Sequence, residues 1–164
     1  MSKRINATFK TRSAAEAVLR ELEKIGITEK QVSAISSDES RGNSFNIESH
    51  TKAAEGTGIG ATAGGLIGVV LGGLATATAM AIPGLNIVVS GAIVSALAGL
   101  GAGAATGGLV GGLIGAGMTE HEAKIYEDEI KNGAILISIE ASNSAQKDEI
   151  KNIFDRRDAH NIAA

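Results

Sequence analysis

The chain has 164 residues, 44% of them hydrophobic, yet only 2% are aromatic, 22 are glycine and none is cysteine. The missing cysteines exclude disulfides, thiolate zinc sites, iron–sulfur clusters and thiol nucleophiles. A formal charge of −3 excludes binding nucleic acid by net attraction, short of a local basic stripe.

Residues 1–10 carry no apolar run behind their charges, so no signal peptide is expected. Residues 4–10 instead alternate, with Ile5, Ala7 and Phe9 on one side, and predict a half-buried strand. Ser13 and Glu16 form a capping-box pattern. Ala15, Val18, Leu19, Leu22 and Ile25 then follow helical spacing, stopped by Gly26. Residues 31–36 read as a second strand and 38–44 as a turn. Phe45, Asn46 and Ile47 begin a third strand, so the pair forms a hairpin.

Charge then disappears. From 56 to 119 there is no Asp, Glu, Lys, Arg or His, so all 15 basic and 18 acidic residues lie elsewhere. The uncharged stretch is half glycine and alanine, and its glycines are ordered. Gly56, Gly60, Gly64, Gly68 and Gly72 form one four-residue ladder. Gly99, Gly103, Gly107, Gly111 and Gly115 form another, extended backwards by Gly91 and Ser95. Pro83, Gly84, Leu85 and Asn86 between them are the clearest turn signal. A spacing of four keeps residues on one helix face, where small side chains let backbones approach closely. The expectation is an antiparallel helical hairpin, 56–82 and 87–118. A flexible linker would pair glycine with serine and charge rather than with Leu, Ile, Val and Ala. Each glycine costs a helix about 1 kcal/mol against alanine, so such a hairpin needs partners or a bilayer.

Beyond it, Thr119 and Glu122 form a second capping-box pattern. Ala123, Tyr126, Glu127 and Ile130 line one side of the helix that follows, closed by Asn132 and Gly133. Residues 134–141 are the most strand-like run, with Ile135, Ile137 and Ile139 on one face and Leu136 on the other. Residues 144–158 predict a terminal amphipathic helix using Ile150, Ile153 and Phe154. The resulting order is β-α-β-β-[hairpin]-α-β-α. It predicts an α+β fold with a ferredoxin-like (split βαβ) head and an extra C-terminal helix; without the third strand it becomes a three-stranded α/β sandwich. The head is expected to comprise 1–49 and 119–164, with 50–118 inserted.

The glycine-rich stretch, followed by Glu122, Ala123, Lys124, Tyr126 and Glu127 on a helix and then by Gly133 and an aliphatic strand, resembles the bacterial general-stress or heat-induced stress proteins. The resemblance covers roughly 56–140 and, more loosely, the N-terminal βαβ. It implies a bacterial, cytoplasm-facing, stress-associated protein, and no catalytic residue follows from it.

Gly56, Gly58 and Gly60 imitate a dinucleotide fingerprint only superficially. No strand precedes them, and the third fingerprint glycine would fall at Ala61. His50 and His121 flank the insertion near Glu48, Glu55, Glu120 and Glu122, a grouping that could bind metal or sense pH but reads more simply as a solvated collar. Tyr126 reads as a packing residue, and Arg156 and Arg157 with Lys147 and Lys151 as a salt-bridged face. Neither cofactor nor metal is expected. His160 carries no argument.

Three functions are compatible with this reading. One is a membrane-inserting hairpin on the cytoplasmic side of the inner membrane that also drives homo-oligomerisation, with lipid and self as partners. Another is a soluble homo-oligomer with bundled hairpins as its core. The third is a small-molecule-binding regulatory domain on the head.

Overall fold

Alternating and continuous apolar runs give this chain six strands and four α-helices among the residues that the computed structural model describes, which are 4–37, 65–71, 80–82, 87–91 and 101–163. The strands are β1 (Arg4–Phe9), β2 (Val32–Ser37), β3 (Met80–Ile82), β4 (Ile87–Gly91), β5 (Ile135–Glu140) and β6 (His160–Ala163). They form one sheet in the order β3-β4-β2-β5-β1-β6, antiparallel at every neighbouring pair. The helices are α1 (Arg12–Lys24), α2 (Gly101–Gly115), α3 (Glu120–Lys131) and α4 (Ser144–Arg156). The architecture is mixed α+β.

One face of the sheet is almost wholly apolar. Ile5, Ala7 and Phe9 of β1, Ile135, Ile137 and Ile139 of β5, Val32 and Ala34 of β2 and Val88 of β4 share it, because side chains two apart point the same way. Helix α1 covers it with Ala15, Val18, Leu19 and Leu22, and α4 with Ile150, Ile153 and Phe154. Phe9 and Phe154, both fully buried, meet edge to face with ring centroids 5.6 Å apart. Burial of each ring contributes about 1.5–3 kcal/mol. Leu66, Val70 and Leu71 complete this core from a π-helical turn, Ile67–Leu71, and Ser90 donates to the Val70 carbonyl at 2.7 Å.

The opposite face mixes Ile35, Leu136, Ile87 and Val89 with Asn6, Thr8, Ser33, Ser37 and Ser138, all buried. Its roof is α2 and α3, through Leu109, Leu113, Ala116, Met118, Ala123, Tyr126 and Ile130. Arg4 reaches across from β1 to donate to the Ala116 carbonyl just beyond α2, and its other terminal nitrogen lies 3.5 Å from Glu140.

The expected capping box at Thr119 and Glu122 is present, with the Glu122 carboxylate accepting from the Thr119 amide at 2.7 Å. The first helix begins two residues earlier than expected. Thr11, not Ser13, is its N-cap and accepts from the Ala14 amide at 3.2 Å. The fourth helix ends at Arg156, and β6 follows it, a strand that the sequence reading lacked. The expected strand at Phe45 to Ile47 lies outside the described residues.

The larger correction concerns the uncharged stretch. Residues 80–82 and 87–91, expected as the inner ends of two helical arms, are strands β3 and β4. They pair with each other in register, Met80 with Val89 and Ile82 with Ile87. The physical reason lies in Ile87, Val88 and Val89: a β-branched run suits a pleated, buried position and is stiff in a helix. Strand β4 in turn pairs with β2 over Ser33–Ser37, so this part of the stretch belongs to the head's own sheet.

Candidate functional site

Among the described residues, the distinctive surface is the side of α2 that faces away from the sheet. Leu109, Gly112, Leu113 and Ala116 are buried, a spacing that defines one face. Gly111 is half-buried and Gly115 exposed, about half a turn round the axis. Between them Ile114 is 42% exposed, the one exposed large apolar side chain among the described residues. Two rungs of the second glycine ladder therefore lie outward, flanking an apolar knob.

The ladder is not one continuous stripe. Gly108 sits at φ 63°, ψ −157°, a conformation essentially confined to glycine, and breaks α2 between Gly107 and Gly111. Gly103 and Gly107 belong to the first half, Gly111 and Gly115 to the second. Adjacent glycines at 107 and 108 lower the local helix propensity at that point, as do those at 111 and 112. Gly91 is not helical at all. It ends β4 at φ +86°, pressed against the backbone of β2. Gly68 is exposed in the π-helical turn. Gly56, Gly60, Gly64, Gly72, Pro83, Gly84 and Gly99 lie outside the described residues.

The titratable candidates disperse. His121 is exposed in the first turn of α3, and His50 lies outside the described residues. Among those described, no three His, Cys, Asp or Glu side chains converge as a metal site would require. Tyr126 is fully packed, and its phenol donates to the Asn161 carbonyl at 2.8 Å. Burial pushes that phenol well above its ordinary range, and the Glu122 carboxylate adds to the rise. It is a proton-holding anchor for β6, not an acid poised to react. Arg156 and Arg157 both reach back to Glu21 on α1, Arg156 at 3.6 Å. The hydrogen bond from Arg157 holds the Glu21 carboxyl below its ordinary value. Glu21 and Arg156 border a charged groove of about 490 Å³ between α1 and α4, lined also by Ile25 and Ile153.

Asn6 and Ile114 were not singled out by the sequence, which picked out Gly111 and Gly115 as rungs of the ladder. Asn6 is 5% exposed and its Oδ1 has no hydrogen-bond partner among the described residues. Strict alternation in β1 could have flagged Asn6 and Thr8 as sharing a face, but not that the face is roofed.

The chain matches no protein-family model, no curated protein and no solved structure.

Proposed function

We propose that this is a non-enzymatic, self-associating protein whose copies dock through the glycine-rich outer face of α2. The observation that carries the reading is the exposed Ile114 set between Gly111 and Gly115 on the side remote from the sheet. A helix with glycines beside an apolar knob offers a groove and its filler on one surface. Such a surface can be self-complementary between two copies.

The scaffold supports a ferredoxin-like reading of the head. Strand β5 lies between β1 and β2, which run parallel to each other, and β6 flanks β1. Taken as β1-α1-β2-β5-α4-β6, this is a split βαβ core whose second and third strands are joined through the glycine-rich stretch and α3. In that reading the stretch is an insertion that adds β3 and β4 to one sheet edge, packs Leu66, Val70 and Leu71 into the first core and lays α2 over the second. A stress-associated role rests on the resemblance over roughly 56–140 alone.

A second reading keeps a lipid bilayer as the partner, with the head on its cytoplasmic side. The total lack of charge from 56 to 119 favours it. Among the described residues no helix is long and apolar enough to cross a membrane.

The test is the pair Gly111→Leu with Gly115→Leu, followed by light scattering and native electrophoresis. Overpacking costs about 1–3 kcal/mol per site at a filled contact, so assemblies should shrink while the unfolding transition is retained. Ile114→Lys should act in the same direction. Assemblies of unchanged size in both variants refute self-association through α2. Loss of flotation with anionic vesicles in the lysine variant, with particle size unchanged, moves the assignment to the membrane.

A further inference from the structure

All four described helices end in the same hydrogen-bonded turn, but one of them places a residue with a Cβ at its left-handed position. After α1, α2 and α3 the residue beyond the cap is Gly26, Gly117 and Gly133, at φ +81°, +95° and +91°. In each case the next amide returns to a carbonyl five residues back: Ile27 to Leu22, Met118 to Leu113, Ala134 to Glu129. After α4 the amide of Ala159 returns to Phe154 in the same way, but the left-handed position is Asp158, at φ +51°. A chain with 22 glycines thus places a Cβ where its other three helices have none. That Cβ strains the turn.

The strand beyond this turn is lightly held. β1 matches β5 over six consecutive register pairs but matches β6 over only two, Asn6 with Ala163 and Thr8 with His160, with an irregularity between them. Asn161 in the middle of β6 also has φ +51°. The side-chain anchors of β6 come from elsewhere in the fold. Thr8 Oγ1 donates to the His160 carbonyl at 3.2 Å, and the Tyr126 phenol donates to Asn161. The side-chain hydrogen bonds to β6 come from β1 and α3, while Ile162 packs on the first core and Ala163 on the second; an identical strand supplied by another copy would meet the same groups.

We propose that β6 is an exchangeable strand: the turn at 157–159 opens, and β6 of one copy docks on β1 of a second copy, which returns its own. Strand contacts made within one chain are then remade between two. The balance is set by the strain released at Asp158 against the entropy of association, the circumstance in which a short strained hinge favours swapping. This exchange uses the edge of β1 and not the outer face of α2, so it stands or falls separately from association through the glycines.

The absence of native cysteine makes a direct test clean. Asn6→Cys and Ala163→Cys are introduced together at a register pair, whose spacing in an antiparallel sheet suits a disulfide. After brief partial unfolding and refolding at high protein concentration, oxidation should trap covalent dimers of the full chain as well as bridged monomers. Adding Asp158→Gly should cut the covalent dimer by about fivefold or more per hinge, because the turn no longer gains by opening. Bridged monomers alone at every concentration overturn the proposal, whether or not the protein also associates non-covalently through α2. A dimer yield indifferent to Asp158→Gly overturns the hinge as its cause.

Discussion

Gly91→Ala distinguishes the observed sheet from a helical arm by the sign of its effect. A Cβ at Gly91 would fall inside the Val32 carbonyl oxygen and 2.8 Å from Ser33 Cα. Both atoms belong to the backbone of β2, which is held on its other side by β5, so neither can yield as a flexible side chain would. The backbone at φ +86° adds a penalty of about 1–2 kcal/mol for any residue with a Cβ, and overpacking adds about 1–3 kcal/mol. A loss of about 2–4 kcal/mol is expected. In a domain of this length that lowers the melting temperature by roughly 5–15 °C. Were residue 91 part of a helix, the same substitution would raise helix propensity and gain up to about 1 kcal/mol. Urea unfolding followed by far-ultraviolet circular dichroism, with wild type and variant at one protein concentration, gives the answer. A variant as stable as the wild type, or more stable, refutes the docking of β4 on β2.

Two further outcomes follow from the first core and its rim. Phe154→Ala removes a fully buried ring and its edge-to-face partner contact with Phe9; a loss of about 3–5 kcal/mol is expected in the same urea assay. Glu21, whose carboxyl is held below its usual value of 4.5 by Arg157, contributes stability that is present above that value and lost as the pH falls through the lowered one. Glu21→Gln should therefore lose less stability than the wild type between about pH 5 and pH 3, by an amount that shrinks with added salt because the pair is exposed. An identical acid limb in both proteins refutes the assignment.

How far the fold was legible tracks how much contrast the sequence offers. Helix α3 was readable at both ends because Thr119 and Glu122 cap it and Gly133 stops it. Strand β5 was readable because Ile135, Ile137 and Ile139 alternate with residues of a different kind, and α4 because its apolar positions recur among charges. The stretch from 56 to 119 offers no such contrast. Every residue there is small or apolar, so a four-residue glycine spacing was the one period available, and it outweighed the β-branched run at Ile87–Gly91. Strand β6 was illegible for the opposite reason. His160, Asn161, Ile162 and Ala163 have little intrinsic strand character, and the free edge of β1 confers their conformation. The candidate site shared this fate: sequence spacing identified Gly111 and Gly115, but only the packing of α2 shows that they lie on its outer side and that Gly112 is the buried one.

That division changes what a glycine ladder means in this protein. Within ten residues of α2 and its exit, glycine meets four unlike demands. Gly108 takes a backbone conformation that other residues avoid. Gly112 is buried on the same face as Leu109 and Leu113, where α2 lies over the sheet. Gly111 and Gly115 border exposed Ile114 on the outer side. Gly117 lets the chain turn from α2 into α3. Only the outer groove uses rungs of the ladder, Gly111 and Gly115; the break, the close approach and the helix stop fall to glycines between or beyond the rungs. A single function assigned to the whole ladder would make all its positions equivalent in stability and in assembly. The structure instead makes them separable, since a larger side chain at Gly111 or Gly115 meets the surroundings of the molecule before it meets the core. For that reason the leucine pair at these two positions can report on association between copies with the fold intact.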